Sequence, residues 1–218
     1  MKTKILKTAS SVLTLLFIFP LLTYAQELSP IQLLKPQTEG GRPLMQVLKD
    51  RMTSRAFSSE KLPLQVLSNL LWAAFGINRP DSGRRTAPSA VNWQEVDLYV
   101  ILPDGVYLYD AKNHLLQPVS KEDIRGMTSR QSFVKEAPVN LVYVADFSRM
   151  GNAANEDKEI FSAADTGVIV QNVYLFSASE GLATGVRASI DKATLAKAMQ
   201  LRPDQKIVLA QSIGYPKK

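Results

Sequence analysis

The chain contains no cysteine and only one histidine among its 218 residues. Without cysteine it cannot form disulfide bonds, cysteine-ligated zinc or iron–sulfur sites, or a thiol nucleophile. A single histidine likewise rules out a metal site built from several imidazole rings. We therefore expect no metal centre, and we expect whatever chemistry occurs here to come from a bound cofactor.

The one histidine, His114, is a weak candidate for a catalytic base. It ends the run Asp110 to His114, whose residues predict the turn of a β-hairpin. A Ser-His-Asp triad would have to use this residue. We expect instead an exposed turn histidine without a catalytic role.

A long apolar run lies near the N-terminus, from Val12 to Leu22, and Pro20 interrupts it. It follows three lysines and precedes a short triplet that ends at Ala25, as in a cleaved secretory signal peptide. The run is shorter than the ~20 residues that span a bilayer. We therefore expect residues 1–25 to be a signal peptide, the protein to be exported to the periplasm, and no membrane span to persist after cleavage.

An excess of positive charge is largely confined to that segment. Its loss removes three lysines and no acids, which lowers the formal net charge from +6 to +3. The other charges are mixed, without a dominant basic block or an aromatic ladder. We therefore expect no nucleic-acid binding.

Beyond the signal peptide, the sequence divides into a lead-in and a single domain. Residues 26–41 are polar and contain proline and glycine, so we expect a flexible lead-in. Residues 42–218 contain predicted helices, a predicted β-hairpin and further strands. This order predicts an α+β domain.

Helices are predicted where apolar positions recur with helical spacing. Pro43 and Pro63 can each occupy the first turn of a helix, and Gly76 and Gly181 can follow the end of one. We expect four helices: one that begins at Pro43, one from Pro63 to Gly76, one over Glu156–Glu180 and one from Asp191 to Met199. Residues 121–135 are expected to add one or two short helices.

Strands are predicted from apolar runs bounded by turn residues. Val96–Leu102 alternates, and the turn at 103–105 returns the chain as a hairpin partner. Val139–Ala145 is almost wholly apolar, as expected for a strand that is buried on both faces. The expected strands are 96–102, 106–109, 139–145, 186–190 and 207–213, with a loop over 79–89.

Arg51, Thr53 and Arg55 form the first candidate binding segment. In extended backbone, alternate residues point to the same side. Two guanidinium groups flanking a hydroxyl would suit a phosphate dianion, because arginine can bind its oxygens bidentately. Taken alone, the pattern is weak and fits two surface arginines near a helix end better.

The second candidate is the basic loop Arg84–Gln94, which leads into the strand 96–102. Its small residues, Ser89 and Ala90, follow Pro88 and allow a ligand to approach the backbone. Asn92 offers a donor and acceptors that match the edge of a pyrimidine-like ring. For Asn92 taken alone, we expect a turn-stabilising role.

The third candidate, residues 181–189, follows the long predicted helix. Its Gly-x-x-x-Gly spacing is more typical of a helix cap and tight turn than of a binding loop. No Rossmann fingerprint and no P-loop motif occur in the sequence, so we do not expect nucleotide binding through such loops. The first two segments together indicate a phosphorylated planar cofactor.

Taken in order, these segments resemble the FMN-dependent nitroreductase family. Residues 51–55 stand where that family has an Arg-x-Ser-x-Arg phosphate motif, with Thr53 in place of serine. Residues 104–110 and 86–89 are especially similar to the branch of azoline-oxidising dehydrogenases of peptide natural-product synthesis. The similar segments, which extend over nearly all of 42–218, are 44–57, 70–76, 85–90, 165–187 and 213–216.

The resemblance implies a central, mainly antiparallel sheet flanked by helices, and a homodimer with the flavin at the subunit interface. The long helix 156–180 would then be buried between protomers. FMN is the implied cofactor. A reduced nicotinamide, NAD(P)H, would donate hydride to it, and a nitroaromatic, a quinone or a similar small acceptor would then be reduced.

The resemblance also assigns residues to the two ends of FMN. The phosphate would be held by Arg51, Thr53 and Arg55. The isoalloxazine and its pyrimidine edge would be contacted by Pro88, Ser89, Ala90 and Asn92. The opposite side of the ring, near N5, would be approached by Val186, Arg187, Ala188 and Ser189. Many members continue into a basic tail where this chain has only Lys217 and Lys218.

Three functions stay open from the sequence. The expected one is an exported FMN-dependent oxidoreductase. Export also favours a flavin-binding or carrier protein without turnover, because reduced nicotinamides are not normally available outside the cytoplasm. The branch similarity favours an azoline-type dehydrogenase that acts on a peptide.

Overall fold

One antiparallel sheet organises the fold. The computed structural model describes residues 28–217, and the expected signal peptide lies outside this range. Seven strands of the described range form the sheet in the order β1-β6-β5-β4-β7-β9-β8, and each neighbouring pair is antiparallel. These seven strands are β1 (Ile31–Gln32), β4 (Val96–Leu102), β5 (Gly105–Asp110), β6 (Leu115–Ser120), β7 (Val139–Asp146), β8 (Ala183–Arg187) and β9 (Gln205–Gly214). Two further strands, β2 (Ile77–Arg79) and β3 (Arg84–Arg85), pair only with each other.

β7 is the buried centre of the sheet. All its residues are shielded from solvent, and it pairs with β4 on one side and β9 on the other. Because alternate side chains point to opposite faces, Leu141 and Tyr143 join one hydrophobic core while Val142 and Val144 join a second. The prediction of a strand buried on both faces is confirmed.

The four predicted helices are confirmed within residues 28–217: α1 (Leu44–Asp50), α2 (Leu64–Phe75), α3 (Asn155–Ser179) and α4 (Lys192–Ala198). Pro43 and Pro63 precede the first two, where the missing proline N–H leaves no helical hydrogen bond unmade. Gly181 follows α3 at φ 68°, a left-handed conformation that favours glycine. The Asp191 side chain caps α4 by accepting from the Thr194 amide at 3.2 Å.

α3 buries one stripe against the sheet and exposes the opposite one. Ile169 and Val173 are fully buried. α1 packs beside α3 and likewise exposes most of its apolar side chains. We call these exposed side chains the outer apolar surface; they are Leu44, Met45, Leu48, Met52, Ile160, Phe161 and Val168.

Some local structure differs from the sequence prediction. Residues 79–89, expected to be a loop, contribute to the small hairpin β2–β3, which closes around a 3₁₀ turn at Pro80–Ser82. The one or two short helices expected over residues 121–135 are two 3₁₀ helices, Arg125–Met127 and Ser132–Lys135. β8 begins at Ala183, earlier than expected, because its first residues already pair with β9. No helix of the described range is both long and apolar enough to cross a membrane.

Part of the expected lead-in, residues 26–41, joins the sheet where the structure describes it. Ile31–Gln32 pairs with β6 as an edge strand. Leu33 is buried in the larger core, and its amide donates to the His114 carbonyl at 3.2 Å. These contacts attach the segment to the domain that we predicted over 42–218.

Candidate functional site

The segment 51–55 lies along β8. Arg51 ends α1, and the chain continues in extended backbone. The Ser54 amide donates to the Thr184 carbonyl at 2.8 Å, and the Thr53 hydroxyl is 2.9 Å from the Tyr174 hydroxyl of α3. A Cβ on Gly185 would lie 2.7 Å from the Ser54 carbonyl oxygen, so this close approach requires glycine. The backbone that carries the three predicted phosphate residues is therefore held in place by β8.

The charges of this segment are not neutralised by the protein. The Arg51 guanidinium lies over the Tyr174 ring, 5.3 Å from its centroid, and Arg55 is exposed. Neither arginine forms an ion pair with a carboxylate of the described residues. A cavity of about 360 Å³ lies alongside, lined in part by Met52 and Thr184. Two free guanidinium groups flanking a hydroxyl form a donor set that fits a phosphate dianion.

The C-terminal end of the chain lies next to the same segment. Phe57 forms an isolated bridge with Pro216, and the Lys217 amide donates to the Ala56 carbonyl at 3.3 Å. The Lys217 ammonium pairs with Glu136 at 3.2 Å, with both side chains largely exposed. Lys217 thus lies near the predicted phosphate segment with its charge already partnered, and Lys218 lies outside the described residues.

The loop 84–94 holds an unusual backbone. Val91, Asn92 and Gln94 all have positive φ, at 51°, 59° and 49°. Such angles are strained for a β-branched residue, and Val91 is 83% exposed, so packing of its side chain does not explain them. Strain of this kind occurs often at ligand-binding loops.

Internal hydrogen bonds occupy part of the loop that we expected to face a ligand. The Ser89 hydroxyl accepts from the Gln94 amide at 2.9 Å, and the Ala90 amide donates to Asp165 of α3 at 2.8 Å. Pro88 and Asn92 are exposed, and the Asn92 side-chain nitrogen Nδ2 donates to none of the described residues, while Oδ1 accepts from Gln94 Nε2 at 3.2 Å. These two residues form the edge of the loop that is open to a ligand.

The residues that surround the loop explain how it is held. The Gln94 side chain accepts from Arg85 at 2.8 Å and donates to the Gly83 carbonyl at 3.1 Å. Arg85 lies over the Phe75 ring at 4.3 Å, and burial lowers its pKa. Trp93 packs edge-on against Phe161 of α3. Gln94 and Arg85 are therefore structural supports of the loop.

In the third segment, neighbouring residues point to opposite faces. The Val186 amide donates to the Tyr174 hydroxyl at 3.0 Å, which ties β8 to the same tyrosine as Thr53. The Arg187 side chain turns into the interior and is 7% exposed. Ala188 and Ser189 follow β8, and the Ser189 carbonyl accepts from the Ser129 hydroxyl and from the Arg130 amide.

Arg187 is a buried cation without a carboxylate partner among the described residues. Its guanidinium donates to the Thr128 carbonyl at 3.1 Å and hydroxyl at 2.7 Å, to Asn140 Oδ1 at 2.7 Å and to the Ser212 hydroxyl at 2.9 Å. Burial lowers the pKa of Arg187 to about 10, so it stays charged at neutral pH. Its guanidinium donates to groups of the protein. The cofactor contact that we predicted for Arg187 could therefore involve only its main chain.

The three segments do not face one common space within a single chain. The first and third meet at Tyr174, whereas the loop 84–94 meets α3 at Asp165. These two α3 residues are nine positions apart, which corresponds to about 13–14 Å along the helix axis and about half a turn around it. The loop therefore lies on the opposite flank of α3 from the predicted phosphate segment.

Sequence reasoning missed Asp165, Tyr174 and Glu95. Asp165 and Tyr174 lie within the predicted helix, and their contacts with distant loops leave no pattern in the sequence. Glu95 stands directly before β4 and is fully buried. The available signal was a carboxylate at the start of a strand whose following residues are nearly all apolar.

His114 differs from its prediction in one respect. It lies in the predicted hairpin turn, yet its ring is half-buried and held on both sides. Nδ1 is 3.0 Å from the Tyr109 hydroxyl and Nε2 is 2.7 Å from the Ser68 hydroxyl. Burial lowers the pKa of His114. The ring connects the hairpin to α2.

Comparison with known proteins places these features in a family. A model of the nitroreductase family matches residues 48–215. A protein of Methanocaldococcus jannaschii that carries a nitroreductase name is 30% identical over 151 residues, which cover 65% of this chain and 76% of that protein.

Two solved structures give the same fold. A nitroreductase-family protein from Ralstonia eutropha JMP134 matches with a TM-score of 0.84 at 42% identity, over 87% of this chain and 90% of the other. A protein from Desulfovibrio desulfuricans, crystallised in complex with FMN, matches with a TM-score of 0.60 at 23% identity, over 82% of this chain and 89% of the other. At that identity the second likeness shows the fold alone.

Proposed function

Because the chain belongs to the nitroreductase family, we propose that it is an FMN-dependent oxidoreductase. It transfers hydride or electrons through the flavin to a nitroaromatic, a quinone or a similar small acceptor. The observation that carries this proposal is the pair of arginines, Arg51 and Arg55, that flank Thr53 without any carboxylate partner among residues 28–217. Bound FMN would supply the redox chemistry that the side chains lack.

The chain's own residues would hold and orient the cofactor. Arg51, Arg55 and the Thr53 hydroxyl would bind the phosphate, and the Tyr174 hydroxyl would fix that threonine. The exposed Asn92 amide would bind the polar edge of the ring. The main chain of residues 186–189 would lie along the other side of the ring.

The first test is the absorbance spectrum of the purified protein, followed by titration with FMN. We expect a flavin spectrum and stoichiometric binding. The double variant Arg51→Ala/Arg55→Ala should bind FMN at least about a hundredfold more weakly, because two charge-assisted contacts are lost. The matched control Lys112→Ala/Lys121→Ala, which removes two exposed cations elsewhere, should bind normally. A wild-type protein that stays colourless and takes up no FMN would refute the proposal.

The homodimer is part of the same proposal, and the outer apolar surface supports it. Seven large apolar side chains are exposed on α1, on α3 and at Met52, two residues after α1, and exposed apolar area of this kind is typical of an interface. The two parts of the site are the loop 84–94, which we call the ring loop, and residues 51–55, which we call the phosphate segment. They lie on opposite flanks of α3, so a second copy would bring its ring loop to the phosphate segment of the first. Ile160→Lys/Val168→Lys should therefore sediment as a monomer and lose FMN together.

A mixed dimer tests whether each site is shared. One protomer carries Arg51→Ala/Arg55→Ala and its partner carries Asn92→Ala, after each homodimer has been shown to bind FMN weakly. With shared sites, the mixed dimer contains one site with both defects and one intact site, so it should bind one FMN with wild-type affinity. If each chain binds its own FMN, both sites are defective and affinity is not restored.

Turnover separates the oxidoreductase from a flavin carrier and from an azoline-type dehydrogenase. Protein reduced anaerobically should be reoxidised by nitroaromatics or quinones over many cycles. Reduction with a single reoxidation would support a carrier, and activity confined to azoline-containing peptides would support the dehydrogenase. NADH, NADPH and a quinol should be compared as reductants, since the donor determines where in the cell the enzyme can work.

Export to the periplasm completes the proposal. Residues 1–25 support it through their lysines, apolar run and small final residue. Cell fractionation and mass spectrometry of the isolated protein should find it in the periplasm with Gln26 at its N-terminus. A cytoplasmic protein that retains residues 1–25 would refute export and leave the flavin proposal untouched.

A further inference from the structure

Two carboxyl groups lie next to the loop 84–94. Glu95 directly follows the loop, is fully buried, and neither of its carboxyl oxygens has a hydrogen-bond partner among the described residues. Asp165, 9% exposed on α3, accepts from the Ala90 amide at 2.8 Å. A buried carboxyl without partners is costly when it is charged, so its protonation state matters to the residues around it.

The groups that face Glu95 favour its neutral form. Burial is the main cause that raises the pKa of Glu95, to about 7, and the negative charge of Asp165 raises it further. The Glu95 backbone and Arg149 act in the opposite sense. Arg149, from the turn before α3, is already bound to the Gln94 carbonyl at 3.1 Å and to Asp97 at 2.7 Å. It therefore cannot serve Glu95 as a dedicated partner.

We propose that Glu95 is a positioning residue for the ring loop. Its neutral carboxyl allows Asp165 to hold the Ala90 amide, and its ionisation places a second negative charge beside Asp165, which breaks that contact and releases the loop. The flavin consequence rests on the proposed function, whereas the loop movement does not.

The loop is suited to respond in this way because its backbone is strained. Val91, Asn92 and Gln94 are all held at positive φ. The bond from the Ala90 amide to Asp165 is one of the contacts that ties this strained turn to α3, and the packing of Trp93 on Phe161 is another. Loss of the first contact lets the turn relax and changes the surroundings of Trp93.

The fluorescence of Trp93 gives a test that needs no flavin. The chain has two tryptophans, so the variant Trp72→Phe leaves Trp93 as the only indole. In the flavin-free protein with this background, we expect Trp93 emission to titrate with a midpoint near 7, the raised pKa of Glu95. Glu95→Gln, a neutral isostere, should abolish the transition. Glu159→Gln, an exposed change on α3, should leave it intact.

Asp165→Asn gives an independent second test. The amide oxygen can still accept from the Ala90 amide, but the negative charge beside Glu95 is gone. The pKa of Glu95 should fall, so the Trp93 transition should move to lower pH. Should Glu95→Gln fail to fold by circular dichroism, this variant decides: an unchanged midpoint overturns the proposal.

FMN affinity measured from pH 6 to pH 8.5 tests the functional consequence. We expect wild-type affinity to fall by about tenfold as pH rises, the change that follows when binding shifts the Glu95 equilibrium by one pKa unit. The phosphate of FMN also titrates near pH 6, but it does so equally in every variant. Glu95→Gln should bind FMN tightly and change much less over the same range.

The outcomes separate the two proposals. A Trp93 transition that is identical in Glu95→Gln and in the parent overturns the role of Glu95, whatever the flavin result. A transition that Glu95→Gln removes, in a protein that never binds FMN, supports the loop device and refutes the proposed cofactor. A parallel pH dependence of FMN affinity in both proteins would show that the loop does not control binding.

Discussion

Replacement of Arg187 by methionine should be among the most destabilising single changes in this protein. Methionine keeps much of the length of the side chain and removes its charge and all its donors. Thr128, Asn140 and Ser212 would each lose a hydrogen bond in a region from which water is excluded. The loss arises from polar groups left unsatisfied more than from lost packing.

The magnitude follows from the number and kind of these contacts. A hydrogen bond to a charged group contributes ~1.5–3 kcal/mol, and each buried polar group that is left unsatisfied costs ~1–3 kcal/mol. The hydroxyl of Ser212 can still bond to Asn140, which recovers part of the loss. We therefore expect Arg187→Met to lower the free energy of unfolding by about 3–5 kcal/mol, and Arg187→Lys by about half as much because lysine lacks the planar fork.

Urea unfolding of the flavin-free protein, followed by circular dichroism, measures this difference without contributions from cofactor binding. Arg130→Met, which removes an exposed arginine, is the matched control and should change stability by less than about 0.5 kcal/mol. A loss below about 1 kcal/mol for Arg187→Met would refute the argument, since it would mean that the surrounding groups find other partners.

Three further changes test other contacts. Gly185→Ala places a methyl group 2.7 Å from the Ser54 carbonyl and should cost about 1–3 kcal/mol on urea unfolding, with weaker FMN binding by titration; unchanged values would mean that β8 and this segment are not tightly packed. Tyr174→Phe should lower stability by about 1–3 kcal/mol because its partners, including Thr53, lose the hydroxyl, and wild-type stability would contradict this. The pKa of Glu95 is about 7 in the folded protein, against 4.5 for an unperturbed glutamate. Its carboxyl therefore contributes roughly 3 kcal/mol to the free energy of unfolding below pH ~4.5, and this contribution is lost as the pH rises through 7. Unfolding measured from pH 4.5 to 8.5 should therefore show wild type losing stability relative to Glu95→Gln, and parallel curves would refute it.

The helices and central strands were predictable because their signals are local. Pro43 and Pro63 fix where α1 and α2 begin, and the apolar run of β7 has no stable place except the sheet centre. The segment 51–55 was also recognisable, since its residue types and spacing resemble a family motif. The position of each of these elements depends on residues near it in the chain.

What could not be predicted depends on contacts between distant residues. Arg187 was expected to contact the cofactor, but strand alternation turns its side chain toward Thr128 and Asn140, which are 59 and 47 positions away. The bond between Ala90 and Asp165 joins residues 75 positions apart. No local sequence pattern marks such partners, because they become neighbours only when the chain folds.

The two contacts that α3 makes on its flanks fix the number of residues that must lie between them. Asp165 holds the ring loop, Tyr174 holds the phosphate segment, and nine positions set both their separation and their opposite directions. One residue inserted between them would rotate one contact by about 100° relative to the other. The buried stripe, which includes Ile169 and Val173 between them, would be split by the same rotation. This stretch of α3 should therefore tolerate substitutions that keep its outer side apolar far better than any change in its length.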